Sequence, residues 1–459
     1  MRRNEKFPRP HLQGIARGAL LLVLALVGLL VGCDRQTSRT DEVSGQPAAS
    51  DRVPIILVPG ISRETARVLK GGSVIPFSAL ALRTDGNALA HLGDPSFPVD
   101  GTAPAGIPAQ LDRALRGTDV RGLQPLIDRL VREEGYIRGN PDQPRDKDYP
   151  DNPQAEREDR TRVASLFVLY YDWRRDLAES ACMIAERIAR IRAATGAQRV
   201  LLVGNSLGGV VARYFLRYGG RDAMRGRDCP GANATMATAV NAPGGQSVSR
   251  AVLVAAPHRG SANAFRALMQ DFRLFGFVGV GLRQAVFTMP LAWELLPWPD
   301  PDGRVALLVG ADGEERIPLF DVQTWITRGW LLGDGADPET VRFAGTMLAR
   351  AVAFHESMLG RNPAEESVPR LAVSGECRPT ITRAILAQGR LEFLSRDQAD
   401  HALFSRATAP GDGVVTAQSA LGLPPSPTLT TLRVCSGHST YLDDPDTLDR
   451  LVGFLLRDG

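Results

Sequence analysis

The stretch Gly204-Asn205-Ser206-Leu207-Gly208-Gly209 constrains this chain more than any other, because of what stands on either side of it. Arg199 to Val203 is an apolar run of the kind that forms a buried strand, and Val210 to Tyr218 has helical periodicity and stops at Gly219-Gly220. A serine at such a strand-to-helix hinge sits in a sharp turn that exposes its hydroxyl. Glycines at 204 and 208 leave room for the two backbones to close around it. The pattern reads as a nucleophile elbow, and it requires a base, an acid and two oxyanion donors from elsewhere in the chain.

The candidates are few. Of six histidines, His438 stands directly after the apolar run Thr431 to Cys435 and before a terminal helical pattern, where a base can reach a serine at a neighbouring strand end. His258 also follows a strand-like run, but no acidic residue occupies a comparable loop, so it reads as a hydrogen-bonded loop residue; His91, His355 and His401 lack a strand-end context. Asp412 lies between Gly411 and Gly413 in a tight loop, and the order Ser206, Asp412, His438 is that of α/β-hydrolases. One oxyanion donor is expected at the N–H of Leu207, at the positive end of a helix dipole, and the other at Ile61 after the first strand.

Short apolar runs alternate with helical patterns, the signature of a mostly parallel sheet with helices on both faces. The runs are Val53 to Val58, Leu166 to Tyr170, Val200 to Val203, Ala251 to Ala255, Leu371 to Ser374 and Thr431 to Cys435. Leu177, Ala181, Ile184, Ile188 and Ile191 recur at helical spacing before Gly196, and Asp444-Pro445 begins a last helix through Leu448, Leu451, Val452 and Leu455. The expected fold is therefore an α/β-hydrolase domain over 51–459. Two stretches exceed plain connections: an insertion at 62–160, and one at 261–369 whose large apolar residues suggest a second small core, a cap over the site, or both.

The first 32 residues read as a signal peptide. A basic start precedes an apolar run too short to span a bilayer comfortably, ending Leu30-Val31-Gly32-Cys33 in the manner of a bacterial lipobox; the alternative is an ordinary secretory signal or short anchor. On the lipobox reading Cys33 is lipidated, 33–50 is a polar tether, and the protein sits at a membrane surface in a bacterial cell envelope. Export into an oxidising space leaves Cys182, Cys229, Cys377 and Cys435 for two disulfides. Three pairings are available, and proximity along the expected elements favours 182 with 229 and 377 with 435.

The formal net charge of +3 comes from scattered arginines that form no stripe, so nothing points to nucleic acid. The chain carries no phosphate-binding GxxxxGK loop, CxxC pair or HExxH, so no nucleotide, metal or other cofactor is expected.

Taken together, PIILVPG at 54–60, YDWR at 171–174, GNSLGGVVARYF at 204–215, APHRGS at 256–261, WELLP at 293–297, GDGVV at 411–415 and GHS at 437–439 resemble lecithin:cholesterol acyltransferase-like proteins, in the same order. The resemblance implies a capped α/β-hydrolase with a Ser206, Asp412, His438 triad and acyl-ester chemistry on lipids, either hydrolysis or transfer to an alcohol. It also implies a pocket role for Tyr171, Asp172 and Trp173, although an Asp172/Arg174 ion pair at a packed strand end fits the residues equally. Asn205 stands where these proteins usually carry His, and Ile61-Ser62-Arg63-Glu64 lacks their second Gly. A runner-up of another class is a catalytically silent lipid-binding lipoprotein.

Overall fold

The computed structural model describes residues 52–61, 122–144 and 163–457, together with the short strands Arg67–Lys70 and Ser73–Pro76. Within the last span, 172, 174, 231–234, 271–272, 275–276, 279–281, 288, 311, 334–336 and 395 are left out. Cys33 and Asp172 therefore lie outside the described residues, as do most of the 62–160 insertion and His91. All the described residues belong to one compact unit, Pro47–Gly459.

Its centre is a six-stranded sheet. The strands are β1 (Ile55–Val58), β2 (Leu166–Val168), β3 (Val200–Asn205), β4 (Val248–Val254), β5 (Arg370–Gly375) and β8 (Leu429–Val434), in the order β8-β5-β4-β3-β1-β2. Every neighbouring pair is parallel, and one row of aligned residues runs Phe167, Ile56, Leu202, Ala251, Arg370, Leu429 across the whole sheet. Parallel strands must be buried on both faces, and all four residues of β1 are fully buried. The apolar runs read from the sequence are these strands, with ends that differ by a few residues. The mostly parallel sheet with surrounding helices is an α/β-hydrolase architecture.

Helices close the connections, and α1 (Gln124–Arg132) lies in the chain between β1 and β2. α2 (Leu177–Thr195) links β2 to β3. The Asp176 carboxylate accepts from Ala178 N–H at its start, and Gly196 ends it at φ 72°, in the left-handed region. α3 (Leu207–Tyr218) follows β3 directly, and α7 (Pro445–Leu456), capped by Asp444, packs Leu451, Val452 and Leu455 inward. Two further strands, β6 (Arg378–Ile381) and β7 (Thr408–Gly411), pair antiparallel after β5 and carry the chain to Asp412.

The 261–369 stretch contributes α4 (Ala262–Met269), α5 (Pro290–Glu294) and α6 (Pro338–Met358). It also supplies Val305–Gly310 and Gly313–Ile317, which form a four-stranded sheet with Ala384–Ala387 and Arg390–Glu392. Its aromatic residues Phe265, Trp293, Trp325 and Trp330 meet one another edge-on or tilted and are continuous with the main core. Disulfides join Cys182 to Cys229 and Cys377 to Cys435, with Cα separations of 5.5 and 5.0 Å. Among the described residues no helix is long and apolar enough to cross a membrane.

Candidate active site

Ser206 stands between the last residue of β3 and the first of α3, at φ 53° and ψ −124°. A serine pays strain energy to hold that backbone, and the surroundings must over-determine it. They do so from three sides. The Ser206 amide donates to Val254 of β4 at 2.7 Å, and the Ser206 carbonyl accepts from Gly209 at 2.9 Å. Closest of all are the glycines. A Cβ at Gly208 would meet the Val58 carbonyl oxygen at 2.1 Å, and one at Gly204 would meet Gly209 Cα at 2.6 Å. Only hydrogen fits at either position.

The loop after β1 crosses directly over the hydroxyl. A Cβ at Gly60 would lie 2.6 Å from Ser206 Cβ and 3.1 Å from its Oγ. Ile61 follows at the edge of the core. Beneath the same loop, the buried Tyr171 donates its hydroxyl to the Pro59 carbonyl at 2.9 Å, and burial pushes its phenol well above the ordinary range. Tyr171 is thus placed to fix the loop. Trp173 is buried beside it. Leu207, as the first residue of α3, has an N–H without an intrahelical acceptor, at the positive end of the helix dipole.

His438 lies in the turn after β8, and its Nε2 is 2.9 Å from Ser206 Oγ. Its Nδ1 is 2.9 Å from Asp412 Oδ2. The His438 side chain keeps 21% of its surface exposed while Asp412 keeps 1%, so the imidazole can meet a ligand and the carboxylate cannot. Asp412 is held by its own loop and by the turn that carries His438. Its Oδ1 accepts from the amides of Val414 at 2.8 Å and Val415 at 2.7 Å, and its backbone carbonyl accepts from His438 N–H at 3.1 Å. Burial pushes this carboxyl upward, but the hydrogen bonds from His438 and from the two amides outweigh it and hold the group below its usual range. An ionised acid, a histidine with Nδ1–H toward it, and a serine hydroxyl on Nε2 can together move a proton from Oγ to the imidazole.

The structure thus brings together Ser206, His438 and Asp412, from three separate strand ends, with Leu207, Gly204, Gly208 and the Gly60-Ile61 loop around them. His258 is buried and bonded to none of the three; the charges that act on it are those of Arg213, Glu365 and Arg370. Contrary to the hydrogen-bonded reading of that residue, neither of its ring nitrogens has a hydrogen-bond partner among the described residues. His355 is buried too, with Nε2 2.9 Å from the Glu294 carbonyl oxygen, and His401 is exposed. One participant had no signal in the sequence. Tyr441, in the turn before α7, donates its hydroxyl to Asp412 Oδ2 at 2.9 Å. A tyrosine three residues past a candidate base belongs to no spacing rule, and only the return of α7 onto the sheet places it there. Among the described residues one group has metal-ligand spacing, Cys182, Glu186 and Cys229. Its two sulfurs are joined in a disulfide, which leaves no thiolate to ligate.

No curated protein matches this chain significantly. Among solved structures, "The crystal structure of Tle4-Tli4 complex" aligns with 14% identity and a TM-score of 0.48, covering 89% of this chain and 100% of that one. "The crystal structure of the gene lin2722 products from Listeria innocua" aligns with 10% identity and a TM-score of 0.30, covering 75% and 91%. At those TM-scores neither bears on function. A family model described as lecithin:cholesterol acyltransferase matches residues 160–275 and supports lipid-ester hydrolase or acyltransferase chemistry in general terms. From β2 through the Ser206 elbow to the helix beyond β4, this chain is similar to the lecithin:cholesterol acyltransferase family.

Proposed function

We propose that this protein is a serine acyl-ester hydrolase that acts on lipid esters through an acyl-enzyme. The observation that carries the reading is the continuous contact from Ser206 Oγ to His438 Nε2 at 2.9 Å and from His438 Nδ1 to Asp412 Oδ2 at 2.9 Å, at an elbow whose serine is held at φ 53°. On this reading Ser206 Oγ attacks the ester carbonyl while its proton passes to His438 Nε2. The imidazolium so formed is stabilised by the ionised Asp412. The carbonyl oxygen gains the negative charge, and the N–H of Leu207 with that of Ile61 are the donors proposed to receive it. Collapse expels the alcohol, which takes the proton from His438. Water then enters, gives its proton to His438, attacks the acyl carbonyl and releases the acid with Ser206 restored. An alcohol entering in place of water completes a transfer instead, the chemistry named in the family description.

The 261–369 stretch is proposed to cover the site and to offer acyl chains an apolar surface, and Tyr171, Asp172 and Trp173 are proposed to help shape the pocket. Cys33 is proposed to carry the lipid that holds the enzyme at a membrane face of the cell envelope; two acyl chains there suffice for stable attachment where one is marginal.

The test is labelling of the purified protein by a fluorophosphonate, with Ser206→Ala as control. Covalent labelling of Ser206 that the substitution abolishes supports the enzyme. Absence of labelling in a folded protein overturns it in favour of a silent lipid-binding lipoprotein. Product analysis with and without a long-chain alcohol separates free acid from a new ester. For the anchor, Cys33→Ser is expected to release the protein from membranes or leave it unprocessed, and a soluble, unlipidated wild type would refute it.

A further inference from the structure

We propose that Tyr441 is a positioning residue that sets the proton affinity of the Asp412–His438 pair, an inference that rests on the acyl-ester reading above. Both hydroxyl contacts of Tyr441 are directional. The Gly375 amide at the end of β5 donates to the phenolic oxygen at 2.5 Å, and the hydroxyl itself donates to Asp412 Oδ2 at 2.9 Å. With one lone pair taken by an amide hydrogen, the phenolic proton has the carboxylate as its acceptor. Oδ2 is also the oxygen that receives His438 Nδ1, so tyrosine and histidine compete for the same charge.

The constellation leaves no slack. Tyr441 is buried, and a Cβ at Gly375 would come within 2.8 Å of both Asp412 Cβ and the Tyr441 hydroxyl. Two residues beyond Gly375, Cys377 is tied to Cys435 at the end of β8, so the strand ends that present Tyr441's donor and His438 are covalently joined. On the other side, Asp444 caps α7 through the Thr447 amide at 3.0 Å and so fixes the turn that holds Tyr441. Burial and the neighbouring Asp412 raise the phenol above its ordinary range, which keeps its proton available for donation.

Other charges around this group are few among the described residues. Arg378 of β6 lays its guanidinium on Gly437, where a Cβ would come within 2.6 Å of Cζ. Glu376, after β5, is paired with Arg433 of β8 at 3.2 Å. In the helix Gln124–Arg132, which packs against the Tyr441 turn, Arg129 is engaged by Glu133, Glu134 and Asp449, and Asp128 by Gln124. None of these is bonded to Oδ2, so among the described residues the phenol and the imidazole alone share it.

Removing the phenolic donor concentrates charge on Oδ2, strengthens the pull on Nδ1–H and makes His438 harder to deprotonate. Tyr441→Phe should therefore move the acid limb of kcat/KM for a p-nitrophenyl acyl ester upward by about half to one pH unit. Site-specific 3-fluorotyrosine at 441, a stronger donor of nearly the same shape, should move that limb downward. Opposite shifts from the two variants support the proposal. A lowered melting temperature with an unmoved acid limb in both overturns it and leaves Tyr441 a packing residue. If Tyr441→Phe does not fold, the fluorotyrosine protein decides alone. If Ser206 is not labelled by a fluorophosphonate, the hydrolase reading fails, whereas the coupling is still decided by NMR titration of His438 in Ser206→Ala protein with tyrosine or fluorotyrosine at 441.

Discussion

Gly60 and Ser206 touch so closely that a single methyl group on the glycine would stand 2.6 Å from the serine Cβ. The first loop and the elbow are therefore one packed unit, and the space for an incoming carbonyl depends on both. Gly60→Ala must displace the loop, the serine or both. A displacement of about an ångström costs on the order of 10²-fold in activity, and the overpacking costs about 1 to 3 kcal/mol of stability. Ester hydrolysis and thermal unfolding measure the two effects. Gly453→Ala, on α7 with nothing within 4 Å of the added methyl, is the control: it should leave activity unchanged and, as Ala replaces Gly inside a helix, raise stability by up to about 1 kcal/mol.

Ser206 and His438 are expected to act as a unit. Ser206→Ala and His438→Ala should each lower kcat by roughly 10⁴-fold or more, and the double variant should be little worse than either single one. Multiplying effects in steady-state kinetics, or inactivation by His258→Ala instead of His438→Ala, would count against the assignment.

Arg350 holds four elements together from inside the protein. Its guanidinium contacts Asp176 at 2.5 Å, Asp222 at 3.1 and 3.2 Å and Glu294 at 3.7 Å, joining α6 to the start of α2, the turn after α3 and α5. Burial and then the charge of Asp176 push Glu294 well above the carboxylate range, whereas at Asp176 burial is outweighed by the charge and hydrogen bond of Arg350, which hold the carboxyl below it. Arg350→Met should destabilise by about 3 to 5 kcal/mol, because it strands buried charge. Glu294→Gln keeps a neutral hydrogen-bonding group and should cost far less. Urea unfolding of the two variants gives the comparison.

His355 makes stability depend on pH. Burial holds its imidazole down at about 3, against 6.5 when unfolded. Between those values the unfolded chain binds a proton that the folded one refuses, so stability is full above pH 6.5 and falls as pH drops toward 3. One such group contributes a slope of about 1.4 kcal/mol per pH unit. His258, depressed for the same reason, acts in the same direction. Unfolding free energies of His355→Gln should show a slope lower than wild type by about that one-proton amount across this window. Identical slopes would mean that His355 is protonated in the folded state.

The Cys377–Cys435 bond ties the end of β5 to the end of β8, flanking the turns that carry Asp412 and His438. Its removal by paired Cys→Ala substitutions should cost about 2 to 4 kcal/mol. Activity should fall at temperatures where the protein remains folded, since His438 loses its nearest covalent restraint. Removal of Cys182–Cys229, which joins α2 to the segment after α3 and ties none of the strand ends that carry the triad, should lower stability without that loss.

Much of this was legible in the linear chain because the determinants are local. Strand β3, the glycines and helix α3 follow one another without interruption, so sterics alone specify a sharp turn at Ser206. The same holds for α2 and α7, whose caps at Asp176 and Asp444 and whose apolar spacing sit in the sequence itself. Strand order is different in kind. Six apolar runs are compatible with several sheet orders; packing of the largely buried strands β5, β4, β3, β1 and β2 against the helices selects one, with β8, half-buried to exposed along its length, at the edge: β8-β5-β4-β3-β1-β2.

What the sequence by itself determined was each piece of chemistry and the turn that presents it: a serine at an elbow, a histidine after a strand, an aspartate between glycines. Only the tertiary structure decided which groups meet. Asp412 reaches His438 because β6 and β7 carry it beside the sheet, and Gly60 reaches Ser206 because β1 and β3 are neighbours. Tyr441 reaches Asp412 because the turn before α7 packs against the end of β5, where Gly375 has no side chain to keep it away. Likewise the aromatic residues of 261–369 gave a local apolar signal, but their union with the main core came from packing. Contacts between residues distant in sequence are set by the common burial of many elements at once, and no local pattern encodes them.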